Sequence, residues 1–227
     1  MEIDASKLDN PVWNSLNEVH SEFSIEYDGA KFYKPEYCPF GGFISFENSN
    51  GCIDKYAAKA RTFYIVGDVP KYNGKLTLKR NLICNQMILK APIDIKTNEQ
   101  IIELKSNSQK RDLFNLVNLI QPGYFNNQTS DLGKYYGIFK DNNLIAVTGE
   151  RMKMNKFTEV SAVITHPEHS GKGYAKQLIK YTTDQIFEAS KTPYLHVAES
   201  NIGAIKLYEK LGFTTRRKMS FWNLVKS

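Results

Sequence analysis

Cysteine is scarce and widely spaced: Cys38, Cys52 and Cys84 are the three in 227 residues, and no Cys-x-x-Cys pair occurs. An odd, sparse set of thiols argues against a disulfide framework or a thiolate zinc site and points to a reducing compartment. Runs of about 18 apolar residues are missing, so no segment reads as a membrane-spanning helix. The opening Met-Glu-Ile-Asp-Ala is acidic and lacks the charged-then-apolar pattern of a secretory leader, from which a cytoplasmic location is expected. There is no Gly-x-x-x-x-Gly-Lys-Ser/Thr, which removes a P-loop. Basic runs interleaved with aromatics are also absent. The net charge of +6 permits an anionic partner but is scattered, so nucleic-acid binding is not expected. Lys206, Lys210, Arg216, Arg217 and Lys218 are the candidates for a basic face.

What is present is a globular chain with an apolar content of 41%. Its polar stretch at 91–107 suggests a boundary near residue 100, between a smaller α+β domain (1–100) and a second domain (101–227). Near the start, Asn10 is placed to cap a helix with Pro11 at its first position, and Val12, Leu16 and Val19 give that helix an apolar face. Residues 34–43 carry Pro35, Pro39, Gly41 and Gly42 among aromatics and read as loop. Strands are expected at 62–66, 75–78 and 82–89. His20, Glu26 and Asp28 are isolated and suggest no site.

The second half reads as a strand at 101–104, then a helix at 110–120 carrying Leu113, Leu116, Val117 and Ile120 and stopped by Pro122-Gly123. Strands at 135–139, 144–148 and 159–165 follow as an antiparallel meander. In the last of these, strict alternation puts Val160, Ala162 and Ile164 on one face and Glu159, Ser161, Val163 and Thr165 on the other. A helix to residue 188 buries Ala175, Leu178, Ile179, Thr182 and Ile186. A strand at 193–198, a helix at 201–211 ended by Gly212, and a hairpin or paired strands at 213–224 complete the order.

The chemistry concentrates at 163–175, Val-Ile-Thr-His-Pro-Glu-His-Ser-Gly-Lys-Gly-Tyr-Ala. A strand end runs through a Gly-Lys-Gly loop into a helix, which gathers free backbone N–H groups and a positive helix end at one point. Gly171 and Gly173 let a phosphate approach the backbone closely. His166 and His169 flank Pro167 with no third ligand, so no metal site is read there.

Ser170-Gly171-Lys172-Gly173-Tyr174-Ala175, followed by Asn201, Ala204, Tyr208 and Gly212-Phe213 at family spacing, resembles the GNAT superfamily of N-acetyltransferases over roughly residues 100–225. Ser170 stands where that pattern has Arg or Gln. The opening Leu8-Asp9-Asn10-Pro11-Val12-Trp13 further resembles a subgroup of glycine N-acyltransferase type with an extra N-terminal domain. The resemblance implies a mixed α/β fold (α+β in class), a mostly antiparallel sheet flanked by helices, and acetyl-CoA as co-substrate with no metal. It places Val163, Ile164 and Thr165 along the pantetheine arm, Ser170, Gly171, Lys172, Gly173, Tyr174, Ala175 and Lys176 at the pyrophosphate, and Asn201 and Ala204 further along the cofactor.

Tyr208 is then the expected general acid, because the departing thiolate must be protonated and a phenol can donate to it. Glu159 is the candidate base for a small-molecule or peptide amine, with a solvated strand-start glutamate the competing reading. His196 reads as structural. No cysteine or serine is read as the nucleophile of an acyl-enzyme, so direct attack in a ternary complex is expected. The aromatic segment 33–43 is a candidate acceptor contact. The rival reading is a non-catalytic acyl-CoA-binding or regulatory module on the same fold.

Overall fold

A computed structural model describes residues 4–44 and 49–227. Met1 to Ile3, part of the opening read for a leader, lie outside the described residues. The Asn10 side chain accepts from the Trp13 N–H, and Pro11 opens helix α1 (Pro11–Asn17). Val12 and Leu16 are fully buried, whereas Val19 lies past the helix end and is exposed. Strands β1 (Ser24–Tyr27), β2 (Ala30–Tyr33) and β3 (Phe40–Phe43) follow. Part of the segment read as loop is therefore strand; Gly41 is at β3 because a side chain there would strike the Phe32 ring, 2.3 Å from its Cβ position. Helix α2 (Ser49–Ala57) and strand β4 (Thr62–Val66) come next.

The two short strands expected at 75–78 and 82–89 are one strand, β5 (Leu76–Ile88). Its polar middle, Lys79-Arg80-Asn81, looks like a break in sequence, but pairing with a neighbouring strand carries it through. Strand β6 (Ile102–Glu103) leads to helix α3 (Asn107–Ile120), which starts earlier than its apolar spacing suggests because Ser106 and Gln109 form a reciprocal capping box. Then come β7 (Tyr135–Lys140), β8 (Asn143–Lys153), β9 (Phe157–Thr165), helix α4 (Tyr174–Glu188), β10 (Thr192–Ala198), helix α5 (Ile202–Lys210) and β11 (Thr214–Lys226). The last is a single long strand and not a hairpin: it pairs with β4 on one side and β5 on the other.

These strands make one mixed sheet in the order β1-β2-β3-β4-β11-β5-β10-β9-β8-β7-β6, antiparallel except at β3/β4 and β9/β10. Alternation along the strands sends neighbours to opposite faces. On β8, Val147 packs with Leu113 and Val117 of α3, while Ala146 packs with Leu178 of α4. On β4, Tyr64 joins the cluster of Val12 and Leu16 of α1, while Phe63 meets Ile53 and Tyr56 of α2. Tyr208 and Leu211, from α5 and its end, share a cluster with Ile179 and Ile186 of α4. Among the described residues no helix is long and apolar enough to cross a membrane.

Candidate active site

Strands β9 and β10 are paired only at their near ends, through Phe157, Thr158 and Glu159 against Thr192, Pro193 and Tyr194. Beyond that point β10 continues along β5, and β9 continues along β8. The two strands separate into a V. A cavity of about 180 Å³ occupies the gap, with Val160 to Val163 on one wall and His196 to Ala198 on the other. Asn201, Ala204 and Tyr208 also line it, as do the aromatic rings of Phe40, Tyr124 and Phe125.

The wall formed by β9 does not alternate strictly. Val147 pairs with Ile164 and Gly149 with Ser161, so β9 carries one extra residue, and Ala162 takes a left-handed φ of 51°. This bulge corrects the expected parity. Val160 and Val163 pack with α4 and α5, while Ala162 and Ile164 pack with α3. An inserted residue shifts every later side chain to the opposite face and takes backbone groups off the ladder. The free edge of β9 beside the gap is therefore available to an extended ligand, which would add to it as a strand does.

At the far end of β9, His166 to His169 make a 3-10 turn, and Ser170, exposed, donates to the His166 carbonyl at 3.4 Å. Gly171 and Gly173 have φ of 77° and 79°, a region that favours glycine. Gly173 is the N-cap of α4 and supplies no side chain to cap it. The first N–H groups of the helix, at Tyr174, Ala175 and Lys176, thus have no capping side chain. Lys172 and Lys176 are exposed and have no ion-pair partner among the described residues, and the Lys176 stem lies over Gly173. These groups fit a pyrophosphate. The Tyr174 ring is buried against Leu178 and the Ile164 side chain against Leu113, so those two residues can offer a ligand only backbone. Asn201 uses its carbonyl oxygen to accept from the Ala204 N–H at 3.1 Å, capping α5.

Tyr208 is 7% exposed, and burial pushes its hydroxyl pKa up. That hydroxyl has no hydrogen-bond partner among the described residues, and Tyr208 lines the cavity. Glu159 is placed differently. It is fully buried behind the cavity wall, and its carboxylate accepts from Arg151 Nε at 2.8 Å, Arg151 Nη2 at 3.0 Å and His196 Nδ1 at 2.9 Å. Burial alone would raise its pKa, but the Arg151 charge and the hydrogen bonds from His196 and Arg151 hold it at about 2. His196 in turn accepts at Nε2 from the Gln86 amide, whose oxygen accepts from Arg216. Arg216 and Arg217 both pair with Asp9, and Lys218 pairs with Glu199, so these three cations are already engaged.

Arg151, Gln86 and Tyr124 had no signal in local spacing, because they meet the site only through sheet pairing and loop return. Cys84 and Ser161 also line the cavity. Burial pushes the Cys84 thiol up to about 12, so it is protonated and a poor nucleophile at neutral pH. Of the aromatic segment 33–43, Phe40 reaches the cavity; Tyr33 is buried in a hydrogen-bonded core with Ser15 and His20. Among the described residues no three His, Cys, Asp or Glu side chains gather as a metal site.

A strand pair that splays over a cavity, followed by a glycine loop at a helix N-terminus, defines a GNAT-type architecture. The model of the FR47-like protein family matches residues 135–222. Over 97% of its length the chain is similar to a GNAT-family protein of Novosphingobium aromaticivorans, with 31% identity, 98% of that chain covered and a TM-score of 0.87. It shares its fold with a GCN5-related N-acetyltransferase of Kribbella flavida, at 13% identity and a TM-score of 0.64 over 100% of this chain and 96% of the other. A stretch of 53 residues is 45% identical to spermidine N(1)-acetyltransferase of Vibrio cholerae, spanning 22% of this chain and 31% of that enzyme. The chain belongs to the GNAT family of acetyltransferases.

Proposed function

We propose that this protein transfers an acetyl group from acetyl-CoA directly to an amine seated in the cavity. The observation that carries this reading is the parting of β9 from β10 past Glu159 and Tyr194, which leaves an unpaired backbone edge along the cavity that Tyr208 also lines. Acetyl-CoA supplies the acyl group as a thioester. The Gly171 to Lys176 amides with Lys172 and Lys176 hold its pyrophosphate, and the backbone of Val163 and Thr165 pairs with its pantetheine arm. A backbone N–H of the β9 bulge takes the charge that develops on the carbonyl oxygen as the amine nitrogen attacks. Tyr208 gives its proton to the sulfur as the carbon–sulfur bond breaks and recovers one from solvent, while the amine loses its proton to water in the open cavity.

Glu159 serves this reaction as a positioning residue. A carboxylate held at about 2 is a weak proton acceptor at neutral pH, and it is already saturated by Arg151 and His196. Its work is to fix the His196 ring and the Arg151 guanidinium in the cavity wall.

Thiol release from acetyl-CoA against a panel of amines tests the reading. Tyr208→Phe is expected to lower kcat roughly a hundredfold while leaving CoA affinity within a factor of about two. Equal turnover by the variant would remove Tyr208 as the acid. CoA binding with no thiol release on any amine would favour a non-catalytic CoA-binding module.

A further inference from the structure

We propose that the acceptor is an elongated amine bearing a carboxylate at its far end, and that Arg80 is the specificity-determining residue that holds the carboxylate; this rests on the acetyl-transfer reading above. Cys84 and Leu82 line the cavity, and alternation along β5 puts Arg80 next on the same face, toward its outer end. From Cys84 to Arg80 is about 13 Å along the strand, at roughly 3.3 Å per residue. A molecule that reaches from the Cys84 level of the cavity to Arg80 must therefore be extended.

The guanidinium is set for such a group. Its Nη2 donates to the Tyr64 hydroxyl at 2.9 Å and to the Tyr124 hydroxyl at 2.5 Å. The two rings are stacked, with centroids 5.2 Å apart, and the Arg80 charge lies 5.9 Å from each. Arg80 is exposed and has no carboxylate partner among the described residues, and its Nε and Nη1 donors remain free. With Nη2 held by the two hydroxyls, the free Nε–H and Nη1–H can each give a carboxylate oxygen a charge-assisted hydrogen bond.

The rest of the cavity agrees on charge. Among the described residues no aspartate or glutamate lines it, and the nearby Glu159 is neutralised by Arg151. A polyamine would bring a second cation toward Arg80 with no acid to receive it, although a stretch of this chain matches a spermidine N(1)-acetyltransferase. Phe40, Tyr124 and Phe221 supply an apolar wall for the intervening methylenes.

The test is equilibrium binding to the full chain in the presence of saturating CoA. The probes are a series of ω-amino carboxylates of increasing length, the matching ω-amino amides, and linear diamines. The expected result is a length optimum at which the carboxylate binds roughly tenfold or more tightly than its amide, with diamines weaker than both. Arg80→Gln should bring the carboxylate-to-amide ratio close to one, and Arg80→Lys should restore part of it. A wild-type ratio near one, or diamines binding best, would overturn the proposal while leaving the transfer reading intact. Loss of CoA binding by the wild-type protein would sink the transfer reading and this inference with it.

Discussion

His20 shows how burial alone sets a chemical property. Its ring is 1% exposed, accepts at Nδ1 from the Tyr33 hydroxyl at 2.8 Å, and donates at Nε2 to the Leu132 carbonyl at 2.9 Å. Burial holds its pKa down at about 4, against an ordinary 6.5. The unfolded chain therefore binds a proton that the folded chain refuses. The stability tied to His20 is complete above pH 6.5 and is lost as pH falls toward 4, a change of about 3 kcal/mol. Glu159 acts in a separate, more acidic window, between 4.5 and about 2. Urea midpoints between about pH 7 and pH 4.5 should fall steeply for the wild type and much less for His20→Gln; parallel curves would mean that another group titrates. At this scale the sequence revealed features set by neighbours along the chain, such as the Asn10 cap with Pro11 at the first helical position. It concealed Arg151, Gln86 and the Tyr64–Arg80–Tyr124 cluster, because each of those partnerships is made across the sheet or from a distant loop.

Among the elements, the turn into α4 is where the proposed cofactor site can be tested most directly. Gly173 holds φ at 79° as N-cap, and a Cβ there would meet Lys176 Cε at 3.0 Å. Gly173→Ala should cost about 1 kcal/mol of stability from the left-handed backbone and weaken acetyl-CoA binding, read as a KM for acetyl-CoA raised severalfold with the acceptor KM unchanged. An unchanged KM for acetyl-CoA would separate this loop from the cofactor. Helices α3, α4 and α5 were legible as periodic apolar stripes with caps or stops. The single strand β5 was not, since its exposed middle has the polarity of a loop. Nor was the β9 bulge, because a left-handed alanine leaves no mark in composition and the apolar pattern around it is consistent with either parity.

For the whole molecule, the sheet joins what the polar stretch near residue 100 seemed to divide. Strand β5 lies between β11 and β10, so residues on both sides of that stretch hydrogen-bond to one another through the middle of the sheet. Residues 101–227 made alone would leave β10 and β11 with long unsatisfied edges, and should lack a cooperative unfolding transition by circular dichroism. A sharp transition from that fragment would show that the remaining strands suffice. The overall class was readable from element order, whereas this interleaving was not, because strand order depends on long-range pairing. It also has a consequence in time. Strand β4 gains its neighbour β11 only after roughly 150 further residues have been synthesised, about 10–30 s on a ribosome, so the early strands must wait with one edge open. For that interval the nascent chain depends on protection from other chains, and the exposure ends when Thr214 to Lys226 slides into the gap.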